Sequence, residues 1–155
     1  MGFLDDMTAR FKSLVGDADD GNAEEHDLRL AIATLLVRSL TVDGEEVIEE
    51  AMKLVDLLKA RFELGNREAE DLFNEAKRAE REATDLFKFT RTVTEQLDRD
   101  GRIGVLEMMY EIVAADGVVD VFEENLVTRA ATLLRVPDYY RENMRPKLFA
   151  LMGKQ

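Results

Sequence analysis

Residues 40–50 read Leu40-Thr41-Val42-Asp43-Gly44-Glu45-Glu46-Val47-Ile48-Glu49-Glu50. Residues 113–123 read Val113-Ala114-Ala115-Asp116-Gly117-Val118-Val119-Asp120-Val121-Phe122-Glu123. A shift of 73 positions lays Asp43-Gly44 on Asp116-Gly117 and Glu50 on Glu123. The same shift lays Ile32, Leu35, Leu36 and Leu40 on Val105, Met108, Met109 and Val113. Twice, then, an apolar helical run ends in Asp-Gly and a Glu follows the Asp by seven residues. Gly accepts the left-handed conformation that ends a helix, and Asp bonds to nearby amides, so one such turn needs only a structural explanation. Two turns with matching surroundings predict two like halves, each a helix, an acidic turn and a second helix, packed about a pseudo-twofold axis around one core.

Working outward, the spacing of apolar residues predicts helices throughout. Leu28 to Val42 is apolar on most sides, with only Arg29 and Arg38 charged, so it should lie at the centre of the core. A second helix runs to about Phe62, with Val47, Ile48, Ala51, Leu54, Val55 and Leu58 inward. Gly65-Asn66 is the next break, with Asn66 as N-cap. Residues 67–82 form a charged helix with a thin apolar face (Ala69, Leu72, Phe73, Ala76, Ala79), expected at the periphery. Thr84 or Asp85 caps a helix through Leu97, and Ile103 to Ala115 repeats the central helix. Asp120, with Glu123 reaching back to its amide, starts another helix that Pro137 stops. A short C-terminal helix carries Tyr139, Tyr140, Met144 and Leu148. No alternating β-branched run is present. The expected fold is all-α, a bundle of about seven or eight helices with a pseudo-twofold internal repeat.

The chain has 155 residues, two prolines and nine glycines, with 46% hydrophobic and 35% charged residues. This length and composition suit one helical body with a substantial core. Residues 1–25 read as an N-terminal amphipathic helix and acidic linker, and 26–155 as the main domain. Phe3, Leu4, Met7, Phe11, Leu14 and Val15 share a helical face in the first segment. Residues 16–26 read as a solvated, Gly-punctuated linker that includes His26.

The formal net charge of −12 opposes nucleic-acid binding and favours cations and basic proteins. Asp5 and Asp6 make the N-terminal helix a poor match for anionic lipid, leaving a peripheral contact there as the most a membrane is expected to receive. The start lacks the basic flank and apolar run of a signal peptide, and Asp6 stands where a myristoylation signal needs Ser or Thr. No run approaches the roughly 20 apolar residues that span a bilayer. The expected location is the cytoplasm.

With no Cys and one His, thiolate chemistry, Cys-ligated metals and His-rich metal sites are excluded. No Gly-rich phosphate loop accompanies the carboxylates, so the expectation is a protein that is not an enzyme. Four carboxylates from two like turns, if they converge, need a cation, a proton or a basic partner. Asp43, Glu50, Asp116 and Glu123 form the candidate metal set, with Asp120 and Glu124 nearby. All-oxygen ligands suit calcium or magnesium. The alternative is that these residues only cap turns and helices. Gln96, Asp98, Asp100, Gly101, Ile103 and Glu107 also fall at EF-hand-like spacing, but Gln96 stands where the first Asp belongs, and a helix-to-helix turn is the favoured reading. Arg38 and Glu111 occupy equivalent places in the two halves and are expected to pair across the axis.

These motifs resemble the TerB family, named for bacterial tellurite resistance. The family's helix ending in Ala/Ser-Asp-Gly with acidic residues after it, present twice, corresponds to Val42-Asp43-Gly44 with Glu50 and to Ala115-Asp116-Gly117 with Glu123. The closest stretch is Leu106 to Asn125, and the likeness, nearest to a proteobacterial TerB-like branch, covers roughly residues 26–137. The resemblance implies a pseudo-symmetric helical bundle, clustered acidic residues that bind divalent metal, and a role in stress response or membrane-associated complexes. Reducing tellurite needs electrons, and the chain has neither a thiol nor a visible redox cofactor motif, so any link to tellurite is expected to be indirect. The resulting expectation is a non-enzymatic acidic module that binds a divalent cation, a protein partner, or both. A pure protein-interaction scaffold without metal is the alternative.

Overall fold

The nearly uninterrupted apolar run from Leu28 to Leu40 leaves no face for solvent, so the helix that carries it must be enclosed. The computed structural model describes residues 23–41, 48–115, 121–140 and 142. There the run forms α1 (Ala23–Thr41), with Ile32, Ala33, Leu35 and Leu36 fully buried. The other elements are α2 (Ile48–Phe62), α3 (Asn66–Glu82), α4 (Phe87–Gln96), α5 (Arg99–Val113) and α6 (Val121–Leu133). A helical turn follows at 138–140, and no strand occurs among the described residues. The expected N-terminal helix lies outside the described residues, as does most of the short C-terminal one.

Helix α1 packs against α3, α4 and α5, and each of the other helices touches it or α5. The two central helices are α1 and α5. Ile32, Leu35, Leu36 and Leu40 are at most 2% exposed, and their counterparts Val105, Met108, Met109 and Val113 at most 1%. The second helices, Ile48–Phe62 and Val121–Leu133, follow the two central ones in each half. They also end alike. Glu63 (φ 55°) follows α2 and Arg135 (φ 60°) follows α6 by two residues, both left-handed. The amide of Leu64 donates to the Lys59 carbonyl at 3.1 Å, and that of Val136 to the Ala131 carbonyl at 2.9 Å. These are Schellman closures made without glycine.

Three local expectations are corrected. Helix α1 starts at Ala23, so residues 23–26 belong to it and not to a linker, with Glu24 and Glu25 in its first turn where the helix dipole favours carboxylates. His26 is therefore helical, and its Nε2 lies 3.1 Å from Glu75 Oε1 on α3. At α3 the N-cap is Gly65, not Asn66. The Glu68 carboxylate accepts from the Gly65 amide at 3.0 Å, closing the first turn from the other side. Helix α3 keeps its charged face outward and packs on α1 through its thin apolar stripe. Ala69 and Ala76 are fully buried, and their small size lets the backbone approach α1 closely.

Candidate functional site

The second acidic turn is framed by the end of α5 and the start of α6. Asp98 caps α5, its Oδ1 accepting from the Gly101 amide at 2.9 Å. Residues 99–107 are therefore helical and cannot wrap an ion, which disposes of the EF-hand-like spacing. From Gly104 to Val113 every residue of α5 is buried, including two carboxylates one turn apart, Glu107 (4% exposed) and Glu111 (3%).

Glu111 is held by α2. Its Oε2 accepts from Arg61 Nη2 at 2.7 Å, and both side chains are almost wholly enclosed. Burial raises the Glu111 pKa above its ordinary value, opposed by the charges of Arg61 and Lys53 and by the Arg61 hydrogen bond. The expected Arg38–Glu111 pair does not form. Arg38 Nη1 instead donates to Glu80 Oε2 of α3 at 2.8 Å. The reason is topological: α3 and α4 lie between the two halves of the repeat, and α3 sets an acid beside Arg38 for which the second half has no counterpart.

Across α6, Glu123 is 8% exposed, while Val121 and Phe122 beside it are 64% and 62% exposed. The first turn of α6 thus faces its carboxylate inward and its aromatic ring outward. Glu124 is half-buried and accepts from the buried Tyr110 hydroxyl of α5 at 3.5 Å. In the first half, Glu50 is also half-buried, on the first turn of α2.

Of the six candidate ligands, Glu50, Glu123 and Glu124 are thus placed in the first turns of the helices that follow the two acidic turns. Asp43, Asp116 and Asp120 lie outside the described residues. Among the described residues no three His, Asp or Glu side chains are grouped as a metal site would need. A cation centre therefore depends on the three aspartates of the turns. The sequence reading missed Arg61, because a basic residue in the last turn of a helix ordinarily serves the dipole and faces water. It also placed Glu107 on the second central helix without foreseeing its burial, and gave Glu111 the wrong partner. An apolar run as dense as Val105–Val113 interrupted by two Glu one turn apart was the available signal.

The described helices define an all-helical protein with carboxylates such as Glu111 and Glu123 turned into the body. A family model for the tellurite resistance protein TerB matches residues 29–146, most of the chain, and the protein belongs to that family. Comparison with curated proteins and with solved structures found no match. No helix among the described residues is long and apolar enough to cross a membrane.

Proposed function

We propose that the protein is a non-enzymatic acidic module that binds one divalent cation, calcium or magnesium, between its two Asp-Gly turns. Asp43 and Glu50 supply ligands from the first half, and Asp116 and Glu123 from the second, with Asp120 and Glu124 beside them. The observation that carries this reading is the inverted first turn of α6, with Glu123 buried and Phe122 in solvent. Burial strengthens a carboxylate's interaction with the helix dipole but costs it solvation, and a cation nearby would offset that cost. An inward carboxylate seven residues after Asp116 in the chain suits a ligand whose charge a cation offsets. Hard oxygen donors with no Cys and no second His fit an alkaline-earth ion better than a thiophilic metal.

The test is a thermal melt of chelator-treated protein with calcium, magnesium or manganese added singly, beside an Asp116→Ala, Glu123→Ala double variant. Binding to the folded state raises stability by about 2.7 kcal/mol at a hundredfold excess over Kd. A rise specific to one ion and absent from the variant supports the reading. No rise in the parent, with the variant lower in every buffer, assigns the carboxylates to capping.

The scaffold reading draws on a separate observation. Ile48 and Val121, equivalent across the repeat, are 73% and 64% exposed, and Phe122 adds an aromatic ring. Apolar residues held in solvent at both helix starts offer a protein partner contact area beside the acidic turns.

A further inference from the structure

Helices α2 and α3 leave between them a groove of about 560 Å³. Its α2 wall carries Ile48, Ala51, Met52 and Val55, whose helical spacing makes one stripe, and α3 adds Phe73. Ile48 is 73% and Met52 61% exposed. Toward the turn that joins the two helices the lining becomes charged, with Asp56, Lys59 and Glu70. We propose that this groove receives an amphipathic helix of a basic partner protein. Its apolar stripe lies on Ile48, Met52 and Phe73, and its cationic side chains meet Asp56 and Glu70. The proposal deepens the scaffold reading and does not depend on a bound cation.

Shape favours a helix. From Ile48 to Lys59 the α2 wall runs about 17 Å, the length of three helical turns. Two neighbouring helices with an open apolar seam offer the ridges against which a third helix packs. Charge selects its chemistry. Elsewhere in the body acids stand beside basic side chains, as Glu75 does with His26, Glu80 with Arg38 and Glu95 with Arg91. Among the described residues Asp56 and Glu70 have no ion pair and no side-chain hydrogen bond, although Lys59 is only one turn from Asp56. Two acids against one lysine leave the groove with net negative charge, which a basic helix complements. A second copy of this chain is a poor occupant, because two bodies that each carry a net charge of −12 repel.

The probe is a fluorescein-labelled three-turn peptide of Leu and Lys, with its Leu residues on one helical stripe. It is titrated with chelator-treated full-length protein at physiological salt and followed by anisotropy. Met52→Asp removes an apolar anchor while making the protein more acidic. Phe87→Asp adds the same charge at an exposed apolar residue of α4 outside the groove. Met52→Asp should weaken binding about tenfold or more, and Phe87→Asp should not weaken it. Asp56→Lys with Glu70→Lys should lose the peptide. Asp71→Lys with Glu82→Lys, which gives the same net charge from exposed sites of α3 outside the groove, should lose much less. A parent that does not bind the peptide overturns the proposal. So do equal losses at groove and control sites, or a gain with Met52→Asp, which assign the attraction to net charge alone. A parent that sediments as a dimer which Met52→Asp dissociates also overturns it, and assigns the groove to a second copy. Far-UV circular dichroism on each variant confirms that the helices are intact.

Discussion

Arg38 and Glu111 stand at equivalent positions of the two halves, and the molecule treats them differently. Arg38 reaches outward from α1 to Glu80, with its side chain 36% exposed. Glu111 points inward from α5 to Arg61, in a pair whose side chains are 6% and 3% exposed. The first is partly buried, 36% and 13% exposed, so solvent screens its attraction more than that of the inner pair. The second takes two charges out of water, and its contribution depends on both partners being present. The equivalent positions therefore meet different helices: Arg38 an acid on α3, between the halves in the chain, and Glu111 a base on α2, in the other half.

The largest expected effect breaks the inner pair. Arg61→Met or Glu111→Leu alone should lower stability by about 3–5 kcal/mol in urea unfolding, because each leaves a buried charge uncompensated. The double variant should recover most of that loss, since well-packed apolar residues replace a buried pair at little cost. A double variant as unstable as the singles would show that the charges also hold neighbouring groups in place.

The pH dependence sharpens the same contrast. The folded-state pKa of Glu111 is raised by burial above its ordinary value of 4.5. The folded state therefore holds its proton more tightly than the unfolded chain. The stability this contributes is full below pH 4.5 and is lost as pH rises through the raised value. Unfolding of the parent followed from pH 4 upward should show this decline over and above that of the Arg61→Met, Glu111→Leu double variant. Identical profiles would mean that Glu111 titrates as it does unfolded.

The outer pair should matter far less. Arg38→Met is expected to cost no more than about 1 kcal/mol and to lose even that in high salt. The smallest effect tests the matching helix ends. Arg135→Gly relieves a left-handed non-glycine residue and should raise stability by about 0.5–1 kcal/mol, after the entropy that glycine loses on folding.

Most of the fold was legible in the sequence because it rests on periodicity. The dense runs around Leu35 and Met108 announced two enclosed helices, and the apolar spacing after each announced α2 and α6. The candidate site was legible only in part. Glu123 was singled out from its place after an Asp-Gly turn, and the structure sets it inward. Arg61 was not, and Glu107 was noticed only for a loop spacing, because burial of a charge follows from which helix faces which, and that is settled by tertiary packing. Glu111 drew notice for the same repeat that misassigned its partner. Symmetry in sequence suggested Arg38, but α2 presents Arg61 at 2.7 Å.

The central claim is that both turns serve one cation. Isothermal titration of calcium, and separately magnesium, into chelator-treated protein tests it most directly, using the parent, Asp43→Ala and Asp116→Ala. The account predicts one ion bound per chain, with binding abolished by either substitution. An absence of binding heat, or two sites of which each substitution removes only its own, would contradict it.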